Sequence, residues 1–408
     1  MIFGLSVVRD MYNSSVMSES VRASLYLYLS TLVNQVFGYL FWLLMTALIG
    51  AEGLGYVVAV SSLSSLVISL INLGLGSSLT RYIGEAYGRG EIYKLRQYFS
   101  SVTVFVLIVT GIVSLAIGII ALLGFNIATY TPLMLLLTSI IVLTNFKVVF
   151  NSLLIALRRT DLVLFSSIAG NVLKITLGIV LVLLIHSWIG AALSYTMMSV
   201  SLIIIGLIYT FRHLRPFITP SLNALKELII AGLSVWFPMI VETMGRQLGM
   251  IAVFGFKGAL ETGLYYVALT VSGLLTSIPL SITNILTPTL AGLQDGRKRI
   301  AWKAVSLSIA ITSPLAIGTA IYSRNILALL GDVYSSSGPL LSILALTSIP
   351  QAIFLGINSL IYAYGMYKET LVLGITSNVT RMILYLTLTP SMGGYGVTLA
   401  MASGTLIG

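Results

Sequence analysis

Glu242 and Arg246 are an acid and a base four residues apart, near the middle of an apolar run from Glu227 to Phe254. A helix places residues at this spacing on one face, and acid before base is the favourable order. About twenty apolar residues suffice to cross a bilayer, so the pair is predicted to lie deep in the membrane. Charged groups there cost roughly 2.5–3.5 kcal/mol each and usually mark a solute pathway. The alternative is a structural ion pair where two helices touch.

Three further basic residues, Lys147, Lys174 and Arg381, also fall inside apolar runs. Together with Arg246 they outnumber Glu242, the one clear acid within a predicted span. Lysine and arginine bind phosphate and carboxylate oxygens. We therefore expect these cations to line a cavity that binds an anionic solute. Lys147 and Arg381 lie about ten residues from a span end, so a purely structural role with the charge reaching the surface is the alternative for both.

Polar side chains share helix faces with these cations, because spacings of three and four residues return to the same side of a helix. Asn171 precedes Lys174 by three residues, and Asn378 precedes Arg381 by three. The predicted supporting polar residues are Glu242, Asn171, Asn378, Asn151, Asn34 and Gln247. Beside Glu242 and Arg246, Gly245 and Gly249 lie four residues apart and would allow a neighbouring helix to approach closely.

The elements that carry these residues are apolar. Of 408 residues, 57% are hydrophobic and 8% are charged, whereas about a quarter of a soluble protein is charged. The runs predict an all-α polytopic membrane protein with about 12 transmembrane helices. The last run extends only from Tyr395 to Gly408, short of the roughly 20 residues required, so we expect the last helix to be truncated.

An internal repeat organises the chain. Asn151-Ser-Leu recurs as Asn358-Ser-Leu after 207 residues, and Glu52 with its neighbours recurs at Glu261 after 209. Six spans in each unit give both units the same orientation, so we predict two parallel six-helix repeats in a V-shaped two-lobe transporter. The predicted parts are an N-terminal lobe at 1–211, a cytoplasmic connector at 212–226 and a C-terminal lobe at 227–408.

The formal net charge of +10 has a topological explanation. Basic residues concentrate in alternate loops, as at Arg89, Lys94 and Arg297, whereas the opposite loops carry Lys257 and Arg324. Cytoplasmic loops hold the excess of lysine and arginine, so we predict a multi-pass protein of the cell membrane with a cytoplasmic N-terminus. The basic residues do not form the solvated patch that nucleic acid requires, so no nucleic-acid partner is expected.

The sequence offers little for enzymatic chemistry. It has no cysteine and two histidines, so no metal site is predicted. It lacks a phosphate-binding Gly-Lys-Ser/Thr loop, paired carboxylates and a His-Glu metal motif. We expect no enzyme activity, no catalytic residue and no cofactor, with coupling to H+, Na+ or the membrane potential left open.

Two stretches carry a family resemblance. Leu73-Gly-Leu-Gly-Ser-Ser-Leu-Thr-Arg81-Tyr-Ile resembles the end of the second span of polysaccharide flippases. Thr262-Gly-Leu-Tyr-Tyr-Val-Ala268, with Pro279 and Pro288 downstream, is similar to their seventh-loop and eighth-span signature. These flippases are the Wzx-like members of the multidrug, oligosaccharidyl-lipid and polysaccharide exporter superfamily.

The resemblance implies a flippase that moves a lipid-linked oligosaccharide or polyprenyl-phosphate glycolipid across the membrane by alternating access, for cell-surface glycan synthesis. It further implies that cations in a central cavity bind the phosphate while the lipid tail stays among the membrane lipids. Glycosyltransferases or a polymerase are the protein partners that it suggests. Two alternatives stay open: a cation-coupled multidrug exporter of the same superfamily, in which Glu242 would carry a proton, and a non-transporting scaffold of a glycan synthesis complex.

Overall fold

The computed structural model describes residues 2–214, 219–293 and 295–407, with side chains from Val21 onward except at Pro288. Residues 215–218 of the predicted connector and the ring of Pro288 lie outside this description. Helices make up most of the described chain. They are α1 (Ile2–Ile71), α2 (Leu75–Gly88), α3 (Ile92–Leu122), α4 (Pro132–Leu143), α5 (Lys147–Ala156), α6 (Thr160–Ile185), α7 (Trp188–Ser194), α8 (Met197–His213), α9 (Leu222–Lys257), α10 (Ala259–Gly292), α11 (Arg297–Ile321), α12 (Ser323–Ala328), α13 (Asp332–Ser335), α14 (Gly338–Ala363), α15 (Tyr367–Met392) and α16 (Gly394–Ile407).

Within the described ranges, ten helical segments are long and apolar enough to cross a membrane. The first, Val21–Ile71, is divided at Gly50, where φ of 67° and ψ of −179° turn the chain. The shorter apolar helix Gly394–Ile407 follows the tenth. Counting both parts of the divided segment, the described chain holds twelve apolar helical segments. The predicted all-α polytopic fold is confirmed.

The chain forms two compact units. Unit 1 comprises Met1–Trp42, Val67–Gly124 and Leu135–Trp236. Unit 2 comprises Leu43–Leu66, Phe125–Met134 and Phe237–Gly408. These units are defined by contacts along the folded chain, and the lobe boundaries inferred from the repeat stay a prediction.

Each unit has its own apolar core. In unit 1, Leu79, Phe150 and Leu228 bring α2, α5 and the start of α9 together. In unit 2, Leu290 and Ala301 pack the end of α10 against the start of α11. The core of unit 1 thus includes α5, the helix that carries Lys147.

Small residues form a crossing inside unit 2 between the second part of α1 and the start of α10. Gly55 packs on the backbone of Ala259, and Gly263 packs on the backbone of Ala51. A Cβ at either glycine would overlap the carbonyl oxygen of the facing alanine. Small residues four apart permit such close contact of helix backbones in a membrane, where apolar burial gives little driving force.

The same crossing corrects the repeat register at this junction. Gly50 and Gly258 both have positive φ, of 67° and 84°, directly before the two helices. Each is followed by an alanine and, four residues further on, by the glycine of the crossing. Gly258 follows Gly50 by 208 residues, so the predicted shift of 209 is wrong here by one residue. Glycine adopts positive φ without strain, so the backbone marks the equivalent positions better than the shared letters do.

A second pair of repeat glycines packs alike in the two units. A Cβ at Gly190 would lie 2.6 Å from the carbonyl carbon of Leu181, and one at Gly396 would lie 2.6 Å from that of Leu388. In both cases the helix after a tight connection lies directly on the backbone of the helix before it. The repeat therefore extends to how backbones pack.

Candidate anion-binding site

Lys174 is the most completely enclosed of the four predicted site cations. It lies in α6 with 5% of its surface exposed. Its Nζ atom lies 4.9 Å from the centre of the Phe41 ring on α1. Among the residues that the structure describes, no carboxylate forms a salt bridge with Lys174. Phe41 is itself fully buried, so a desolvated ammonium faces an aromatic ring.

A ladder of polar side chains joins the same two helices beside Lys174. Asn171 donates through Nδ2 to Asn34 Oδ1 at 2.7 Å and to the Ser167 carbonyl at 2.8 Å. One turn away, the hydroxyls of Ser30 and Ser167 are 2.8 Å apart. The Oδ1 atom of Asn171 is buried and has no partner within the described part of the chain. The Ser167 carbonyl can only accept, which fixes the orientation of the Asn171 amide and identifies Oδ1 as the atom left available to a donor.

Helical spacing explains why these residues meet. Ser167, Asn171, Lys174 and Gly178 recur at intervals of four, three and four and are all buried, while Leu173 is exposed. Such intervals keep one face of α6 turned towards α1. The polar ladder and the cation therefore occupy a single helix-to-helix seam inside unit 1.

In unit 2, Glu242 and Arg246 form the ion pair that their spacing predicts. Their side-chain atoms Oε1 and Nη1 are 3.5 Å apart, with the side chains 63% and 69% exposed. The helix backbone on this side of α9 is closely packed, because a Cβ at Gly245 would overlap Asn378 Oδ1 of α15. The Tyr385 hydroxyl donates to the Gly245 carbonyl at 3.0 Å. A Cβ at Gly249 would lie 2.9 Å from Val397 Cγ1 of α16. The prediction that Gly245 and Gly249 allow close approach of a neighbouring helix is confirmed.

Arg381 is held between α15 and α16. Its Nη2 donates to Thr405 Oγ1 at 2.9 Å, and its aliphatic stem packs on Gly404. Its buried Nε has no partner among the described residues. Arg246 lies on α9 and Arg381 on α15, two helices that the bond from Tyr385 to Gly245 joins; we call these two cations the positive cluster of unit 2. Asn378 donates to the Gly374 carbonyl at 2.8 Å, and its Oδ1 has no hydrogen-bond partner in the described ranges, as is the case for Asn171 in unit 1.

The remaining predicted residues are placed less distinctively. Lys147 opens α5 directly after a 3-10 turn at Thr144–Phe146 and is half-buried. Asn151 lies one turn further along and is half-buried, as is Gln247 on α9. A 3-10 turn within a span often marks a point where a helix bends. Lys147 therefore lies directly beside a break in the regular α-helix of the fourth span.

The structure brings together Lys174, Asn171 and Asn34 in unit 1, and Glu242, Arg246, Arg381 and Asn378 in unit 2. Sequence reasoning missed the residues that complete these clusters, which are Ser30, Phe41 and Ser167 in unit 1 and Tyr385 and Thr405 in unit 2. Serine, threonine and phenylalanine are common in spans, so their types carry no signal. Proximity to Asn34 in α1 was the one available clue, since Phe41 lies seven residues later on the same face.

Comparison with known proteins places the chain. The family profile described as polysaccharide biosynthesis protein matches residues 20–294, which is more than half of the chain. The chain belongs to this family. The family predicted from the sequence is thereby confirmed. A curated relative, the probable flippase AglR of Haloferax volcanii, is 24% identical over 325 residues, covering 76% of this chain. The match spans 66% of the length of that relative.

Solved transporter structures share the fold. Lipid II flippase MurJ in an inward closed conformation superposes with a TM-score of 0.73 at 14% identity, covering 95% of this chain and 85% of that protein. An inward-facing multidrug resistance MATE family transporter of the MOP superfamily has a TM-score of 0.70 at 15% identity, covering 94% and 95% of the two chains. Both structures therefore share the helical fold of this chain.

Proposed function

We propose that the protein is a flippase that moves a lipid-linked oligosaccharide, or a related polyprenyl-phosphate glycolipid, across the membrane by alternating access. The observation that carries this proposal is Lys174, a buried cation in a membrane helix that faces the Phe41 ring and has no salt-bridge partner among the described residues. Membership of the polysaccharide biosynthesis family and the 24% identity to a probable flippase support the same conclusion.

The physical argument starts from the charge balance. Removing an ion from water costs several kcal/mol even after the protein relaxes, and a cation–π contact returns about 2 kcal/mol when desolvated. The contact with the ring therefore compensates only part of the desolvation cost of the Lys174 ammonium. A phosphate or pyrophosphate group would offset the remainder through charge-assisted hydrogen bonds to the ammonium. The glycan part of the substrate would supply hydroxyl donors to the unmatched Asn171 oxygen.

The positive cluster of unit 2 supplies a second place for the same anion. Arg381 has an Nε donor with no partner among the described residues, and Arg246 is largely exposed. A guanidinium forks onto two phosphate oxygens, which suits it to hold a phosphate in one orientation. We assign Lys174 to recognition in unit 1 and the two arginines to recognition in unit 2. Lys147 is a further candidate contact in unit 1.

A cation-coupled multidrug exporter is the second candidate, since a MATE transporter shares the fold. Such a protein requires a buried acid that is free to bind a cation. Glu242 lies 3.5 Å from Arg246 and already has a positive partner. The charge balance therefore favours an anionic substrate. A non-transporting scaffold would use the same residues to hold a protein partner, and transport measurements separate it from both.

Transport in proteoliposomes tests the proposal. The substrate is a fluorescent oligosaccharide linked by pyrophosphate to a polyprenyl lipid, and its arrival in the opposite leaflet is followed with a membrane-impermeant quencher. We expect the parent chain to translocate this lipid and the Lys174→Ala/Arg246→Ala variant to lose most of the activity. Lys257→Ala removes a cation at the end of α9 and should behave as the parent.

Equal rates in the parent and the double variant would overturn the assignment of these cations. A folded parent that leaves the lipid in place would overturn the flippase itself and favour the exporter or the scaffold. Transport of a drug out of the vesicles by the parent chain would then identify the exporter.

The proposal extends to the membrane location, the direction of transport, its energy source and its protein partners. The basic loops support a cell-membrane location with a cytoplasmic N-terminus. The same polarity supports transport from the cytoplasmic to the outer leaflet. An H+ or Na+ gradient, or the membrane potential acting on the anionic substrate, would drive it without a cofactor. Glycosyltransferases or a polymerase acting on the same glycan would be its protein partners.

A further inference from the structure

Phe41 occupies a specific position relative to Lys174. The ring lies with its centre 4.9 Å from the ammonium, and both side chains are buried. The ring is held in turn by Trp42, at 5.2 Å between ring centres in an edge-on arrangement. The negative face of an aromatic ring attracts a cation. Phe41 therefore partly compensates a charge that has no acid to pair with in the described chain.

Gly38 leaves open space on the same face of α1. Residues 34, 38 and 41 follow one another at intervals of four and three, so they share the face turned towards α6. Asn34 contacts Asn171 and Phe41 contacts Lys174 on either side of this glycine. A Cβ at Gly38 would meet no atom within 4 Å. Gly38 is partly exposed, so this face of α1 has free space between the two contacts.

We infer that Phe41 is a specificity-determining residue whose ring competes with the substrate phosphate for Lys174. In the empty protein the ring holds the ammonium. The oxyanion enters through the space beside Gly38 and takes the ammonium from the ring. This inference rests on the proposed function, because it takes a phosphate-bearing lipid as the ligand.

The consequence is a threshold for binding. A neutral lipid offers Lys174 no interaction that matches the ring, so it leaves the pair intact. A phosphate or pyrophosphate brings full negative charge and hydrogen bonds, which exceed a cation–π contact. Removing the ring should therefore strengthen binding of the anion, whereas loss of an ordinary contact residue weakens binding.

Binding of farnesyl pyrophosphate to the full-length chain in detergent tests this inference, with farnesol as the uncharged control. We expect Phe41→Leu to bind farnesyl pyrophosphate about tenfold more tightly than the parent, which corresponds to about 1.4 kcal/mol. Lys174→Met should lose binding at least tenfold. In the Lys174→Met background, Phe41→Leu should change nothing, because the ring acts only through the ammonium.

A second pair of variants keeps the test independent of how well Phe41→Leu folds. Gly38→Leu fills the open space and should weaken farnesyl pyrophosphate binding at least tenfold. Gly111→Leu on α3 is the matched control, because a Cβ at Gly111 also meets no atom within 4 Å. It should bind as the parent does.

The outcomes are distinguishable. Weaker or unchanged binding in Phe41→Leu, or unchanged binding in Gly38→Leu, overturns the competition even if Lys174→Met loses binding and the flippase proposal stands. Tight pyrophosphate binding that is unaffected by Lys174→Met overturns the phosphate site itself. Tighter binding of farnesol in Phe41→Leu would show a general effect of cavity creation and would also overturn the inference.

Discussion

Replacing Gly55 by alanine should destabilise the protein although it adds one methyl group. Its Cβ would overlap the carbonyl oxygen of Ala259, a backbone atom that cannot rotate away. The start of α10 must move from α1, and the contact of Gly263 with Ala51 opens with it. Overpacking of this kind costs about 1–3 kcal/mol. The opposing gain from alanine in a helix is about 0.5–1 kcal/mol, so destabilisation by the clash should win.

Gly255→Ala is the matched control. Gly255 lies in α9, is exposed, and has no atom within 4 Å of an added Cβ. Here the gain in helix propensity acts alone, so stability should stay equal or rise by up to about 1 kcal/mol. The same chemical change is thus expected to have opposite signs at two positions of unit 2.

Thermal unfolding in detergent, followed by tryptophan fluorescence, measures both effects. Gly55→Ala should lower the melting temperature and Gly255→Ala should not. The Gly55→Ala/Gly263→Ala double variant should lose less than the sum of the single losses, because the first methyl already separates the helices. A Gly55→Ala protein as stable as the parent would refute the close crossing.

Two further substitutions test the polar contacts. Thr405→Val removes the acceptor of Arg381 and should destabilise the protein by about 1–3 kcal/mol, because a charged donor is left buried. The control Thr387→Val, on the exposed side of α15, should change the stability little. Equal stability of the two variants in thermal unfolding would contradict the contact between Arg381 and Thr405. Asn34→Leu removes an acceptor of Asn171 and should lower the free energy of unfolding by about 1 kcal/mol. The loss is small because the Asn171 amide keeps its second acceptor on α6. An unchanged free energy of unfolding in chemical denaturation would argue against this contact between α1 and α6.

Local spacing made part of the site predictable. Glu242 and Arg246 are four residues apart on one helix, so their pairing follows from helix geometry alone, and the structure has it. The cations also stand out in an apolar sequence because each is expensive in a membrane. Such features need no knowledge of which helices touch.

Contacts between distant helices were not predictable in the same way. Asn34 and Asn171 are 137 residues apart in the chain, and the residue types of α1 do not reveal that it packs on α6. Phe41 looked like any other apolar residue of a span until its ring was found over Lys174. The pairing of helices is set by the packing of whole surfaces, which a single sequence does not encode in its local pattern.

The register of the internal repeat follows from backbone geometry more reliably than from residue identities. Shared letters aligned Glu52 with Glu261, whereas the positive φ of Gly50 and Gly258 sets the junction one residue differently. Positive φ favours glycine at both turns, whereas the two acids differ in their surroundings, since Glu52 is exposed and Glu261 accepts a bond from the Gly394 N–H. The physically constrained residues therefore give the better alignment.

The most direct test of the account compares two lipids that carry the same fluorescent oligosaccharide on the same polyprenyl chain. One has a pyrophosphate link and the other an uncharged ether link, and their translocation by the parent chain is measured in identical proteoliposomes. Because Lys174, Arg246 and Arg381 are assigned to the anion, we expect translocation of the pyrophosphate lipid and little or none of the ether lipid. Equal translocation of both would contradict recognition of the phosphate by these cations.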